Sequence, residues 1–180
     1  PSYKGQIVTM TYPLIGNYGV NSQDVESWRP HAAGFVIREL SPLVSNWRAD
    51  CSLEQYLKEN DIPGIQGIDT RALTKKLRVR GALNGFISTE DVTEAEAVKR
   101  AKEFVFVGVD YVKEVTHQET FRWDVKDEQS AAFDLVRGNA GVDARTHRKP
   151  LPPADIPIVA FDYGMKYNIL RRLRQHGFAT

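Results

Sequence analysis

The sequence predicts an α/β protein in which short strands alternate with amphipathic helices. Three observations support this fold class. Residues Gln6–Tyr12 alternate between apolar and polar side chains, as a half-buried strand does. Residues Gly64–Ser88 have the pattern of a strand, a helix and a second strand in succession. A continuous apolar run at Ile158–Phe161 precedes a helical pattern, which is typical of a strand buried on both faces of a doubly wound sheet.

The first part of the chain predicts short strands joined by turns. Pro13 ends the first strand, and Gly16–Gly19 is a turn because glycine and asparagine tolerate positive φ. A second strand is predicted within Ala32–Leu40. We expect His31, at the entrance of that strand, to be a hydrogen-bonded structural residue, since it lacks the partners that catalysis or metal binding requires.

The single cysteine, Cys51, is not expected to be a nucleophile. A nucleophile elbow places its reactive residue between glycines on a tight turn from a strand to a helix. Cys51 instead precedes a predicted helix that Asp50 or Ser52 caps, and no glycine brackets it. One cysteine also excludes a disulfide within the chain and a cysteine-rich zinc site.

The central helix is predicted over Thr70–Arg80, with both of its ends marked. Asp69 and Thr70 offer side-chain oxygens to the first amide groups, and Gly81 is the left-handed stop. We expect a strand at Ala82–Ser88, where Gly85 marks a bulge or a close approach of the backbone. The helix carries an apolar stripe and a basic surface, formed by Leu73 and Leu77 and by Arg71, Lys75, Lys76, Arg78 and Arg80.

Further along, Thr89–Phe104 predicts a helix opened by a capping box at Thr93 and Glu96. Tyr111–Thr120 predicts a short strand. Phe121–Asp155 is polar and lacks a sustained period, so we interpret it as part of a hairpin followed by a linker, with a domain boundary near Pro150–Asp155. Three side chains of the helix predicted over Thr89–Phe104 are expected to point inward: Ala97, Ala101 and Phe104.

The last part of the chain predicts a strand, a turn at Asp162–Gly164 and a helix over Lys166–His176 that Gly177 stops. The helix start at Gly164–Lys166 could attract an anion, but a single glycine favours a purely structural turn. One βα unit cannot bury its own faces, so we expect the chain to be a fragment. We also expect Ile156–Thr180 of the isolated chain to be disordered or to associate with other copies, while the first domain stays folded. The helix is expected to point Ile169, Leu170 and Leu173 inward.

Composition excludes several functional classes. The net charge of +1 gives no general attraction to nucleic acid or to a membrane surface. No apolar run approaches the ~20 residues that a membrane span requires. The four histidines are scattered without metal-ligand spacing, so no metal site is predicted. A reducing compartment, the cytoplasm, agrees with the low cysteine content.

Three sequence blocks resemble one family. They are Pro1–Gly19, which contains Pro-Ser-Tyr and Tyr-Pro-Leu-Ile-Gly-Asn-Tyr-Gly; Asp69–Gly81, with the order Asp-Thr-Arg-x-Leu-Thr-x-x-Leu-Arg-x-x-Gly; and Phe161–Arg171. Together they resemble the small, glutamine-hydrolysing subunit of carbamoyl phosphate synthetase. The resemblance implies a β-rich β/β/α swivelling-type domain at residues 1–150, with its opening strands missing. Residues 156–180 would then be the first βα unit of a doubly wound class I glutamine amidotransferase domain.

The resemblance also implies which residues take part in chemistry. The Cys-His-Glu triad of the family would lie beyond Thr180, so no residue of this chain is assigned a catalytic role, and the chain alone is expected to be inactive. Ser2, in the Pro-Ser-Tyr motif, corresponds to the family's serine that binds the glutamine substrate. No cofactor is expected in this chain.

The activity implied for the whole protein is the supply of ammonia from glutamine to a large synthetase subunit. That partner would bind ATP and Mg²⁺ and make carbamoyl phosphate for pyrimidine and arginine biosynthesis. The alternative is a non-enzymatic interaction or swivelling domain that docks through the basic helix Thr70–Arg80. A nucleic-acid module using the same helix is less consistent with the near-zero net charge.

Overall fold

The computed structural model describes residues 1–132 and 148–180, which form two compact units. The first comprises Pro1–Asp24 and Arg29–Val115, and the second comprises Val25–Trp28 and the described part of Thr116–Thr180. These bounds differ from the predicted boundary near Pro150, because the residues from Thr116 onward belong to the same compact unit as the end of the chain. The assignment of residues 1–150 and 156–180 to two family domains stays a prediction.

The first unit contains five strands and four helices in the described chain. The strands are β1 (Ile7–Thr9), β2 (Leu14–Ile15), β3 (Gly34–Val36), β4 (Glu39–Leu40) and β5 (Gly64–Ile65). The helices are α1 (Leu53–Glu59), α2 (Thr70–Arg80), α3 (Glu94–Glu103) and α4 (Tyr111–Val115).

The strands of the first unit pair in parallel. The main sheet has the order β1-β3-β5, with Ile7 opposite Gly34 and Phe35 opposite Gly64, and β2 pairs separately with β4. Val36 and Ile37, at the end of the central strand, are buried. Helices joined to parallel strands confirm the α/β fold class.

The predicted helix caps of the first unit are confirmed. Ser52, Asp69 and Thr93 each accept a hydrogen bond from the backbone amide three residues further on. Gly81 ends α2 with a φ of 81°, and its amide donates to the carbonyl of Leu77. The third helix begins at Glu94, so the predicted start at Thr89 is wrong by five residues. Thr93 is the reason, because its hydroxyl caps the helix there.

Two predicted strands of the first unit are wrong. Residues 82–88 form no regular strand, although Gly85 does make the predicted close approach, since a Cβ there would lie 3.3 Å from Cδ1 of Ile7. The segment predicted as a strand at Tyr111–Thr120 instead begins with helix α4, where Val115 is buried. The carboxylate of Asp110 accepts the amide of Lys113 and starts a helical turn. Phe104, expected inward, is exposed.

The second unit contains α5 (Asp127–Ser130), β6 (Ile156–Pro157), α6 (Tyr167–Gln175) and β7 (Phe178–Ala179). Strands β6 and β7 are parallel neighbours, so α6 connects two strands of one small sheet. The prediction that this segment has only one strand is therefore wrong. The sequence predicts a hairpin within Phe121–Asp155. The part before residue 133 contains α5 and no strand, and residues 133–147 lie outside the described residues.

The apolar run Ile158–Phe161 is not the buried strand that its composition predicts. The amide of Ile158 donates to the carbonyl of Ala179 and extends the β6–β7 ladder by one bond. Beyond it, Val159 is 85% exposed and Phe161 is 76% exposed. Burial on both faces requires a neighbouring strand and covering helices, and the described residues supply neither at this point. Ile169, expected inward on α6, is likewise exposed.

Two buried arginines fix α6 in the second unit. The guanidinium of Arg174 contacts the carboxylate of Asp127 at 2.8 Å and donates to the carbonyl of Pro152 at 2.7 Å. Arg171 contacts the carboxylate of Glu26 at 3.2 Å and donates to the carbonyls of Val25 and Gln129, at 2.6 and 3.1 Å. Their ionic and carbonyl partners offset the cost of burying the charges.

None of the described helices has the length and the apolar character needed to cross a bilayer.

Candidate functional site

Ser2 lies in a compact turn at the start of the first unit. The amide of Lys4 donates to the carbonyl of Pro1 at 3.2 Å, and the amide of Gln6 donates to the carbonyl of Tyr3 at 3.0 Å. The side-chain amide of Gln6 also donates to the carbonyl of Ser2 at 3.4 Å. The residue Ser2 itself is exposed. The turn therefore fixes the backbone of Ser2 and leaves the residue accessible to a ligand.

This segment, Pro1–Gln6, which we call the Ser2 turn, is attached to the sheet and to α4. Lys4 forms an antiparallel bridge with Ala32, and the carbonyl of Gln6 accepts the amide of Ala33 at 2.8 Å. The ammonium of Lys4 contacts the carboxylate of Glu114 at 2.6 Å. Backbone bonds and one ion pair thus hold the turn from two sides.

Gly5 occupies a position in the Ser2 turn that only glycine suits. Its φ of 73° lies in the left-handed region, where other residues are strained. A Cβ at this position would lie 2.9 Å from the hydroxyl oxygen of Tyr111 and 3.1 Å from the adjacent ring carbon. The ring of Tyr111 therefore forms a wall directly against the backbone of the turn.

His31 lies close to the same turn and is 8% exposed. Its pKa is lowered to about 4: burial is the largest cause, the positive charges of the amino terminus, Arg29 and Lys4 add to it, and the carboxylate of Glu114 opposes them. The imidazole is therefore neutral at pH 7. The described residues contain no group of three His, Cys, Asp or Glu side chains arranged to hold a metal ion.

The surroundings of Cys51 do not activate a thiol. Cys51 bridges Val20 in the antiparallel direction and immediately precedes the cap of α1. Burial raises the pKa of the Cys51 thiol, and the carboxylates of Glu59 and Asp50 raise it further. A nucleophilic cysteine requires the opposite shift, toward the thiolate. The geometry is consistent with the sequence-based expectation for this residue.

The basic helix α2 presents its cations to solvent. All five basic residues of α2 are exposed. The apolar residue Val79, which lies between Arg78 and Arg80, is 86% exposed. Within α2 only Thr70 is buried. Arg78 and Arg80 lie in the last turn, where the helix dipole favours positive charge. This surface could bind an acidic partner, but nothing in its geometry converges on a small ligand.

The helix start at Gly164–Lys166 is a structural turn, as predicted, rather than an anion site. The carboxylate of Asp162 accepts the amides of Gly164 and Met165, at 2.8 and 2.7 Å. The first two amides of α6 also have partners within the protein. The amide of Tyr167 donates to the carbonyl of Glu26, and the amide of Asn168 donates to the carboxylate of Glu26. Glu26 thus occupies the position an anion would take at this helix N-terminus.

Sequence reasoning missed a hydrogen-bonded chain of three side chains in the second unit. The Nδ1 atom of His117 lies 2.6 Å from a carboxylate oxygen of Asp162, and its Nε2 atom lies 2.9 Å from the hydroxyl of Tyr167. The amide of His117 donates to the same carboxylate at 3.0 Å. Asp162 and His117 are 45 residues apart, so no local pattern could reveal the contact.

The protonation of this chain follows from its hydrogen bonds. Burial raises the pKa of Asp162, but the amides of Met165, His117 and Gly164 and the ring of His117 outweigh it and lower the pKa to about 2. The ionised carboxylate therefore places a proton on Nδ1 of His117. Burial, followed by the charge of Asp162, raises the pKa of Tyr167, so its hydroxyl stays protonated. The arrangement fixes the turn before α6 and does not generate a nucleophile.

Comparison with known families identifies the amino-terminal half of the chain. The family described as carbamoyl-phosphate synthase small chain, CPSase domain, matches residues 1–87. This match includes the Ser2 turn, the parallel sheet β1-β3-β5 and the basic helix α2.

Individual relatives extend the similarity over nearly the whole chain. The carbamoyl phosphate synthase small chain of Syntrophotalea carbinolica is 47% identical over 174 residues, which cover 96% of this chain and 43% of the relative. The small chains of Akkermansia muciniphila and Aquifex aeolicus are 46% and 44% identical, over 99% and 98% of this chain and 43% and 44% of their own lengths. The chain thus spans less than half the length of these curated relatives. It belongs to the carbamoyl phosphate synthase small chain family.

Proposed function

We propose that this chain forms the first part of a glutamine-hydrolysing small subunit of carbamoyl phosphate synthase. The observation that carries the proposal is identity of 42–47% to proteins named carbamoyl phosphate synthase small chain over 96–99% of the chain. In this proposal residues 1–150 are the amino-terminal domain, of the swivelling type, and residues 156–180 begin the class I glutamine amidotransferase domain.

The proposed whole protein divides the chemistry between two subunits. The small subunit hydrolyses glutamine, and the large subunit combines the ammonia with bicarbonate, using ATP and Mg²⁺, in the cytoplasm. Carbamoyl phosphate then enters pyrimidine and arginine biosynthesis. No residue of this chain is assigned to the hydrolysis itself, and the raised pKa of Cys51 supports leaving that residue out.

Within this function we assign Ser2 to the binding of glutamine. Its exposure in an anchored turn supports this role, because a substrate contact requires both accessibility and a fixed position. The hydroxyl both donates and accepts hydrogen bonds, so it suits the amide and the charged groups of glutamine alike.

The experiment compares Ser2→Ala with the wild type in the full-length small subunit bound to its large subunit. We expect a higher KM for glutamine and an unchanged rate with ammonia as the nitrogen source, because only a substrate contact is lost. One hydrogen bond contributes about 0.5–1.5 kcal/mol, or up to about 3 kcal/mol when its partner is charged. Cys51→Ser is the control, and it should leave both quantities unchanged.

Two results would contradict the assignment of Ser2: an unchanged KM for glutamine, or an equal loss of the ammonia-driven rate.

The second candidate function, a docking domain without a role in glutamine use, is favoured only by the exposed cations of α2. The same measurement separates the two functions, since a docking domain gives no specific response of the glutamine KM to Ser2→Ala.

A further inference from the structure

The Ser2 turn owes its direction to one backbone position, Gly5. The residues on either side of Gly5 are both tied to the segment before β3: Lys4 bridges Ala32, and the carbonyl of Gln6 accepts the amide of Ala33. The left-handed φ of Gly5 therefore sets how the chain leaves β1 and turns back toward Ser2. Ser2 lies three residues from this hinge.

Helix α4 closes the space on the other side of the hinge. The hydroxyl of Tyr111 lies where a side chain at Gly5 would begin, and Glu114, one turn later, holds the ammonium of Lys4. Val115, in the last turn of this helix, is buried. A group added at Gly5 would therefore force either the short turn or the ring of Tyr111 to shift.

We propose that Gly5 and Tyr111 are positioning residues for glutamine binding, acting through Ser2. Neither residue needs to touch the substrate in this arrangement. Gly5 supplies a backbone conformation that other residues adopt only with strain, and the ring of Tyr111 occupies the space beside it. The inference rests on the proposed function, because it assumes that Ser2 contacts glutamine.

The proposal is tested by a double-mutant cycle in the full-length small subunit bound to its large subunit. Gly5→Ala should raise the KM for glutamine by roughly two- to tenfold, the effect of losing about one hydrogen bond, and should spare the ammonia-driven rate. In the Ser2→Ala background the same change should add nothing further, because the contact through which it acts is already gone.

Gly67→Ala is the matched control for backbone strain. Gly67 lies in the same unit with a φ of 86°, but a Cβ there would meet nothing within 4 Å. Its substitution carries a similar conformational cost, so it should lower stability without changing the KM for glutamine. Adding Tyr111→Phe to Gly5→Ala removes the closest atom of the wall and should restore part of the lost affinity.

The outcomes separate this inference from the function on which it rests. An unchanged glutamine KM in Ser2→Ala refutes the contact assigned to Ser2. When Ser2→Ala does raise the KM, an unchanged KM in Gly5→Ala overturns the positioning role. So does an equal effect of Gly5→Ala in both backgrounds, an effect of the same size in Gly67→Ala, or the absence of rescue by Tyr111→Phe.

Discussion

At the scale of single residues, the buried histidine His31 combines a structural position with a titration that affects stability. The sequence predicts a structural role for it, and the structure buries it beside positive charges. Burial disfavours the protonated imidazole, which is why its pKa falls to about 4. Protonation of this residue therefore opposes folding.

We expect the free energy of unfolding to decrease as the pH falls from about 6.5 toward 4. Below pH 6.5 the unfolded chain binds a proton at His31 that the folded chain does not bind, so the stability present above pH 6.5 is lost. The shift corresponds to about 3 kcal/mol. Urea unfolding of His31→Gln at several pH values should show a weaker pH dependence.

The exposed histidine His176 offers the control, since His176→Gln should retain the pH dependence of the wild type. A His31→Gln protein whose stability falls with pH as steeply as that of the wild type would show that other groups are responsible.

At the scale of secondary-structure elements, helix α6 is held by charge as well as by apolar packing. Its pattern predicts Ile169, Leu170 and Leu173 inward, yet Ile169 is exposed and two arginines are buried. Long side chains pack their methylene groups against the unit while the guanidinium reaches carboxylate and carbonyl oxygens. The face of this helix is therefore set by hydrogen-bond partners distant in the sequence.

Removing Arg174 should destabilise the second unit. Arg174→Ala leaves the carbonyl of Pro152 and the carboxylate of Asp127 without this donor, and we expect a loss of about 1.5–3 kcal/mol. Arg172→Ala is the control on the same helix, because Arg172 is exposed and donates only to Gln175 among the bonds described. Its effect should stay within about 0.5 kcal/mol. Thermal unfolding decides, and equal effects of the two substitutions would contradict this account.

At the scale of the whole molecule, the described chain leaves apolar side chains on the surface of each unit. In the second unit Val159 and Phe161 extend beyond the end of the β6–β7 ladder. The net charge of +1 supplies little electrostatic repulsion between copies. Together these features favour association of the isolated chain through the exposed segment Val159–Phe161.

We expect sedimentation velocity to show concentration-dependent association of the 180-residue chain. Replacing Val159 and Phe161 by aspartate should reduce this association, because it removes exposed apolar surface and adds charges that repel between copies. Val125→Asp, at another exposed apolar residue of the same unit, should leave association unchanged. A chain that stays monomeric at every concentration would contradict this expectation.

The sequence alone determined the features that depend on residues close together in the chain. The caps at Ser52, Asp69 and Thr93 and the stop at Gly81 were predicted because each involves atoms within about four positions. The α/β class and the family resemblance also followed from sequence, and the comparisons confirm the small chain family. The role of Ser2 in binding glutamine stays a prediction.

The tertiary structure decided what depends on distant partners. The sequence pattern of residues 82–88 and Ile158–Phe161 favours strands, but a strand also requires a neighbour with which to exchange hydrogen bonds, and the described fold provides none along most of either segment. The wall of Tyr111 against Gly5 and the contact of His117 with Asp162 likewise join residues far apart in the chain. Local propensity carries no information about such pairs, because their free energy arises only when folding brings them together.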